Sequence, residues 1–363
     1  MTWADAVELL ARTAPVLLFL VAVTVLAELA DAAGVFDAAA REAAHLARGR
    51  TAALFALVVV LATATTVLLS LDTTAVLLTP VVLAMCAQLR LDPLPFAMAT
   101  VWLANTTSLL LPVSNLTNLL AQHRLGLGAL EMAGRMWAPT LAALAVTTGV
   151  LWLLHRNRLR GRFRVVPAPA VRDRVLFGVA AACCLLFVVL VALEVPPPVA
   201  AVAGALPLLA AFAVRGRQTL RWSLVPWRVV LGVAVLLVAV DVAGRAGLTG
   251  LLGRLAGVGE APADLLRVAA TGAVGGNLVN NLPAYLALEP VAGSTDRLLA
   301  LLVGVNAGPL LLLWGSLATI LWRQRCRARG LTVGAGRFAL HGLLLVPAVV
   351  LTATAALVAT RPG

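Results

Sequence analysis

Between Asn105 and Asn118 the chain gathers Asn105, Ser108, Ser114, Asn115, Thr117 and Asn118 around Pro112, with no charge, inside an apolar run from Leu94 to Leu120. The run is long enough to cross a bilayer, where an unpaired amide or hydroxyl costs a few kcal/mol. So many polar groups at one depth must face a cavity or a partner element. Pro112 interrupts the backbone hydrogen bonding of its span. Amides and hydroxyls beside such a break can coordinate a cation through oxygen or hydrogen-bond a neutral polyhydroxyl solute. A second stretch, Asn306 to Thr319, repeats the design with Gly308-Pro309 at its break. One offset carries Asn105 to Asn306, Asn115 to Ser316 and Asn118 to Thr319. Two copies of a polar, helix-breaking segment at membrane depth suit a secondary transporter.

Two further apolar runs are interrupted. Thr51 to Leu89 is too long for one span and breaks near Ser70, Asp72, Thr73 and Thr74; Ala263 to Leu288 breaks at Asn277, Asn280, Asn281 and Pro283. Each reads as a re-entrant helical hairpin. Asp72 is the one carboxylate in the broken middle of the first, and an ionisable group at such depth is a candidate proton relay or cation ligand. Its bland reading is a buried acid paired with the hydroxyl of Thr73 or Thr74. Glu28 and Asp241 lie near span ends, where solvation is cheap. Between Leu94 and Leu120, Val268 and Leu288, and Leu298 and Trp322 there is no Arg, Lys or His. An anionic solute would therefore depend on helix N-termini and co-bound cations, whereas a neutral hydroxyl-rich one needs only amides, hydroxyls and backbone.

Composition sets the class. Of 363 residues 61% are hydrophobic and 12% charged, against about 25% charged in soluble domains; mean hydropathy is +0.99. Long Leu/Val/Ala runs predict an all-α polytopic membrane protein, where a barrel would alternate over short segments. The net charge of +12 comes from arginine alone, with no lysine. These arginines sit in short loops, which speaks for membrane sidedness and against nucleic acid. Cys86, Cys183, Cys184 and Cys326 have no metal or disulfide spacing and read as small apolar side chains. His45, His123, His155 and His341 fall near span ends, so neither a metal centre nor an enzyme is expected, and no cofactor. Met1 to Glu8 carries no base, so no cleavable leader is read.

The order of elements is span, surface helix, interrupted hairpin, broken span and plain span, twice over. Residues 1–155 form the first repeat, 156–214 a basic loop and two connecting spans, and 215–363 the second repeat. The loop His155 to Arg164, with Arg156, Arg158, Arg160, Arg162 and Arg164, marks the cytoplasmic side. Eight crossings and two hairpins then put both termini outside and make the repeats inverted, each with a re-entrant hairpin and a broken transmembrane helix.

Val113 to Asn118, Asp72 through Thr79-Pro80, Asn280 to Pro283, and Asn306 to Pro309 followed by Gly315 to Thr319 resemble the signatures of the arsenite/antimonite efflux permeases. These are the membrane subunits of arsenical pumps, within the ion transporter superfamily. The resemblance runs from about Leu17 to the C-terminus. It implies export of trivalent metalloid by proton antiport, or by ATP through a separate ATPase subunit, since the chain has no Walker motif. Two departures are read: helices that precede the first repeat in relatives have no counterpart, and Asn306 stands where these permeases tend to carry Asp.

The expectation is an inner-membrane exporter of As(OH)3 or Sb(OH)3 in exchange for protons. Asn105, Ser114, Asn115, Thr117 and Asn118 form one wall of its site; Asn277, Asn280, Asn281, Asn306, Ser316 and Thr319 form the opposite wall. Asp72, with Glu28 and Asp241, carries the proton coupling. A sodium-coupled carboxylate or anion transporter is the alternative, with the Ser/Asn/Thr clusters as sodium ligands. An ATPase subunit and a second copy of the chain are the candidate protein partners.

Overall fold

A computed structural model describes residues 3–164, 173–225 and 247–361, with isolated positions between 226 and 246. The expected span Val229 to Val242 and Asp241 with it fall largely outside the described residues. The rest is helical. Among the described residues six helices are long and apolar enough to cross a membrane, or seven counting one bent pair.

Helix α1 (Trp3–Ala32) turns through Gly34 (φ 87°) into α2 (Val35–Leu46), with a bend of 58°. Helices α3 (Thr51–Leu68) and α4 (Leu71–Gln88) form the first hairpin. Each has 18 residues, or about 26 Å of rise against about 30 Å of hydrocarbon. Then come α5 (Leu94–Thr106) and α6 (Leu116–Leu125), each too short to span, and the long α7 (Ala129–Leu159). Helices α8 (Arg174–Ala192) and α9 (Pro197–Arg215) connect the halves. The order recurs with α10 (Thr249–Ala256), the hairpin α11 (Pro262–Val279) and α12 (Asn281–Ala292), the broken pair α13 (Thr295–Ala307) and α14 (Leu317–Ala328), and α15 (Ala335–Ala359). The surface helix α2 packs on α3 and on the far half of α4, as α10 packs on α11 and α12. Both arms of each hairpin thus return to the side they left.

Local chemistry explains the interruptions. Pro80 has no N–H to give the carbonyl four residues back. The ladder of α4 therefore slips into a π turn over Thr74–Leu78, where the N–H and the hydroxyl of Thr79 both reach the Thr74 carbonyl. At the tip of the second hairpin Asn280 has φ 88° and ψ 153°, a region almost reserved for glycine.

The tightest packing is between α11 and α13. A Cβ on Gly304 would lie 2.0 Å from the Ala269 carbonyl oxygen, and one on Gly308 would lie 2.3 Å from the Ala273 Cβ. Gly272 and Gly276 answer from α11, facing Leu301 and Pro309. Small residues four apart let two backbones touch, and in lipid that contact is a main source of helix association.

Contacts between loops divide the molecule into two faces. On one, Arg158 Nη1 meets Asp92 Oδ2 at 2.6 Å, Arg215 Nε meets Asp173 Oδ2 at 3.1 Å, and Arg50 bridges to Arg162 through backbone. Asp173 also accepts the N–H groups of Leu176 and Val175 at the start of α8. Those bonds, the one from Leu176 foremost, hold its carboxyl below the ordinary aspartate range. On the other face Asp296 pairs with both Arg135 and Arg361, Arg124 approaches Glu289 at 3.9 Å, and Glu194 accepts the N–H groups of Ala129 and Leu130. Buried Arg297 caps two helix ends there, donating to Ala256 and Gly257 after α10 and to Ala292 of α12. Each of these contacts joins loops that the alternating path puts on one side.

Replacing Gly304 by alanine forces α13 off the α11 backbone. The expected result is a loss of about 2 kcal/mol or more, in the range of overpacked cores, read as a lower melting temperature of the detergent-solubilised protein. Alanine at the open Gly336 is the control and leaves it unchanged.

Candidate functional site

The broken helices share a register. Helix α5 stops at Thr106 and α6 starts at Leu116, while α13 stops at Ala307 and α14 starts at Leu317, so the offset read from sequence holds at both ends of the break. Asn115 caps α6, its Oδ1 accepting the Thr117 N–H at 3.2 Å. Ser316 caps α14 through the Thr319 N–H at 3.1 Å, with its hydroxyl 2.8 Å from that of Thr319. Ser70 repeats this at α4, with the Thr73 N–H at 3.1 Å and the Thr73 hydroxyl at 2.9 Å. Helix starts leave N–H groups without an intrahelical partner, and these caps satisfy some of them. The helix starts at Leu71 and Asn281 align Ser70 with Asn280, so Asp72 falls level with Leu282.

Amides hold the breaks in place. Asn277 uses its full capacity: Nδ2 donates to Ala273 and Gly308 carbonyls at 2.8 and 2.9 Å, and Oδ1 accepts from Leu311 and Leu312 at 3.0 and 3.1 Å. Asn280 donates to the Trp314 carbonyl at 2.8 Å, and the Asn281 N–H to that of Gly315 at 2.8 Å. In the first copy the Ser114 hydroxyl donates to Val67 of α3 at 3.0 Å. Asn105 donates to Val101, and its buried Oδ1 has no partner among the described residues.

Between the copies lies a single amide knot. Asn306, wholly buried, accepts at Oδ1 from Asn115 Nδ2 (3.0 Å) and Thr117 Oγ1 (2.7 Å), and donates from Nδ2 to Asn118 Oδ1 (2.7 Å). Asn118 in turn donates to the Ser108 and Leu111 carbonyls. The two expected walls thus meet without a gap. The walls touch directly in this state, because Asn306 fills the space between them.

The open space is adjacent. A cavity of about 190 Å³ lies between the α1 face from Phe19 to Glu28, the hairpin tip at Ser70 to Thr73, and the first residues of α6 and α14, Leu116 and Leu317. None of the eleven polar residues of the expected walls lines it. Asp72 and Glu28 do, and Asp72 Oδ1 is buried with no hydrogen-bond partner. Neither hydroxyl read as a partner serves it: Thr73 bonds Ser70, and Thr74 bonds Thr66 at 2.8 Å. Three helix starts, at Leu71, Leu116 and Leu317, reach this cavity, and their free N–H groups favour negative charge there. Among the described residues no Arg, Lys or His lines it. Asp241 lies outside the described residues. Sequence reasoning missed Ser70 as a site residue and the α1 wall; the one available signal was the Ser-x-x-Thr spacing that Ser70 and Thr73 share with Ser316 and Thr319.

Comparison with known proteins agrees with this architecture. Residues 7–319 match the family described as citrate transporter. Arsenical pump membrane proteins of Yersinia enterocolitica, Escherichia coli (strain K12) and Shigella flexneri are 31%, 32% and 32% identical to the chain, over 93% of its length and 84% of theirs. The chain belongs to the arsenical pump membrane protein family. As a member of that family it is a multi-pass membrane transporter and not an enzyme. Residues 7–319 take in most of α1, both hairpins and both breaks, so the amide knot and all of the cavity lining but Leu321 lie within them.

Truncating Asn306 to alanine strands Asn115, Thr117 and Asn118 together. At about 1–3 kcal/mol for each buried group left unpaired, the melting temperature is expected to fall well below that of Asn306→Asp, which keeps the acceptor oxygen. An Asn306→Ala melting point equal to that of the wild type would show that the knot contributes nothing.

Proposed function

We propose that the protein exports trivalent metalloid hydroxide, As(OH)3 or Sb(OH)3, across the cytoplasmic membrane in exchange for protons. The observation that carries this is the cavity: two carboxylates, Asp72 and Glu28, hydroxyls at Ser70 and Thr73, and no cationic side chain. A neutral trihydroxide can donate to the unpartnered Asp72 oxygen and exchange bonds with the hydroxyls. A proton on Asp72 removes that acceptor. Solute and proton then compete for one group, which is the minimum that antiport requires, because only differential binding between states couples two fluxes.

The arginine-rich face, with Arg156 to Arg164, is assigned to the cytoplasm by the positive-inside rule. Both termini then lie outside, and residues 1–155 and 215–363 form repeats of opposite orientation flanking the 156–214 connector. Asn105, Ser114, Asn115, Thr117 and Asn118, with Asn277, Asn280, Asn281, Asn306, Ser316 and Thr319, shape the breaks that bound the solute site; in the state described they hold its frame. Asp241 remains a proton-coupling candidate by its sequence position alone.

A sodium-coupled carboxylate carrier is the second reading, favoured by the match to the citrate transporter family. Two acids lining the cavity oppose it, since a carboxylate solute would meet like charge there with no arginine among the described lining residues, Arg325 acting on Glu28 only from outside them.

In everted vesicles carrying Asp72→Asn, arsenite transport driven by a pH gradient is expected to fall to the level of vesicles without the protein, with expression retained. Transport with unchanged pH dependence in that variant would remove Asp72 from the mechanism. Replacing sodium by choline should leave metalloid transport unaltered, whereas a sodium-coupled carboxylate carrier would stop.

A further inference from the structure

Four non-glycine residues among those described have positive φ: Arg48 (49°), Arg90 (55°), Glu194 (62°) and Asn280 (88°). An L side chain in that region crowds the following carbonyl, so glycine is the usual occupant. Two of the four have evident tasks. Glu194 caps α7 through the N–H groups of Ala129 and Leu130, and Asn280 ties the hairpin tip to Trp314. Arg48 and Arg90 have no described partner for their guanidinium groups. They stand just past the ends of α2 and α4, where a helix reverses its chain and glycine is favoured. At the ends of α10 and α12 in the second copy the positive-φ residue is glycine, Gly257 (69°) and Gly293 (71°), each one residue nearer its helix than Arg48 and Arg90 are to theirs. The first copy therefore keeps arginine at two turns whose backbone calls for glycine.

These two arginines belong to a larger surface. The turn around Gly49 is pinned to the loop after α7 by backbone bonds, Thr51 N–H to the Gly161 carbonyl (3.1 Å) and Phe163 N–H to that of Gly49 (2.9 Å). Asp92, two residues past Arg90, is held by Arg158 at 2.6 Å. Three separate segments are thus fastened together, and they present Arg48, Arg50, Arg90, Arg160, Arg162 and Arg164, all exposed and none in an ion pair with a described residue. The acids of these segments are Asp37 and Glu42 on α2, and Asp92, which is already engaged. Leu46, at the end of α2 beside Arg48, is 59% exposed. An exposed apolar side chain beside arginines carried on a pinned backbone matches the boundary between lipid headgroups and acyl chains.

We infer that this fastened arginine platform is a binding surface for anionic phospholipid headgroups, with Arg48 and Arg90 held at glycine-like turns so that their guanidinium groups reach the phosphodiester. Arginine is suited to this because its planar fork donates two hydrogen bonds to phosphate at once. A polybasic surface beside a membrane span gains with each arginine near an anionic leaflet. The reading stands apart from the transported solute and from which face is cytoplasmic.

The test uses the full-length protein in nanodiscs of phosphatidylcholine, with and without phosphatidylglycerol, reading the melting temperature. The wild type should melt higher when phosphatidylglycerol is present. Arg48→Gly and Arg90→Gly should each raise the melting temperature in pure phosphatidylcholine, because the turn is relieved, and should reduce the increment from phosphatidylglycerol. The triple variant Arg160→Gln, Arg162→Gln, Arg164→Gln should reduce the increment without the gain in phosphatidylcholine. If the glycine variants keep the wild-type increment, the platform does not bind lipid and the proposal fails. It fails equally if an acidic soluble protein binds through these arginines while phosphatidylglycerol has no effect.

Discussion

Backbone polar groups cannot be left bare in hydrocarbon, and this single constraint shapes everything around the two breaks. Where α5 and α13 stop in mid-membrane, carbonyls and N–H groups lose their helical partners. The chain answers with short amide and hydroxyl side chains. Asn277 replaces a turn of helix by bonding four backbone groups of its own copy. Ser70, Asn115 and Ser316 restart the helices. Asn306 then closes the gap between the copies. Polar residues read as solute ligands are therefore, in this state, ligands of the protein itself. Their chemistry still creates the site, because breaks held in this way bring helix starts to the edge of a cavity.

The cavity gains its character from what surrounds it. One side is the apolar face of α1, with Phe19 and Val23; the other is polar, with Ser70, Asp72 and Thr73. A lone unpartnered carboxyl oxygen in such a place is costly unless something binds it. The second carboxylate, Glu28, sits one turn from the end of α1. All basic residues of the chain are arginine, and a guanidinium does not give up its proton in a protein. Charge changes near neutral pH at depth are thus left to carboxylates and to the few imidazoles.

The architecture was largely legible because breaks and repeats are local chemical events. Pro112 and Gly308-Pro309 mark the interruptions, and a common offset from Asn105 to Asn306 locates both helix ends within a residue. Which loops share a face was legible too, since the loops that the alternating path groups together are those joined by Arg158 with Asp92 and by Arg135 with Asp296. The hidden part was three-dimensional. No pattern distinguishes Phe19 and Val23, which face a cavity, from Leu18, which is exposed. Nor does sequence tell whether Asn306 faces solute or another amide, since either use needs the same side chain.

Helices α11 and α13 meet backbone against backbone, with Gly304 and Gly308 seated against Ala269 and Ala273. At the same offset the first copy carries Leu103 and Thr107 in place of those glycines. Two surfaces in such contact have no compliant layer between them, because there are no side-chain rotamers to absorb a displacement. The second hairpin and its broken helix are therefore geared as one piece. Any rearrangement that empties the cavity has to slip along seams lubricated by side chains, such as α1 against α4 and α6, where the cavity already lies.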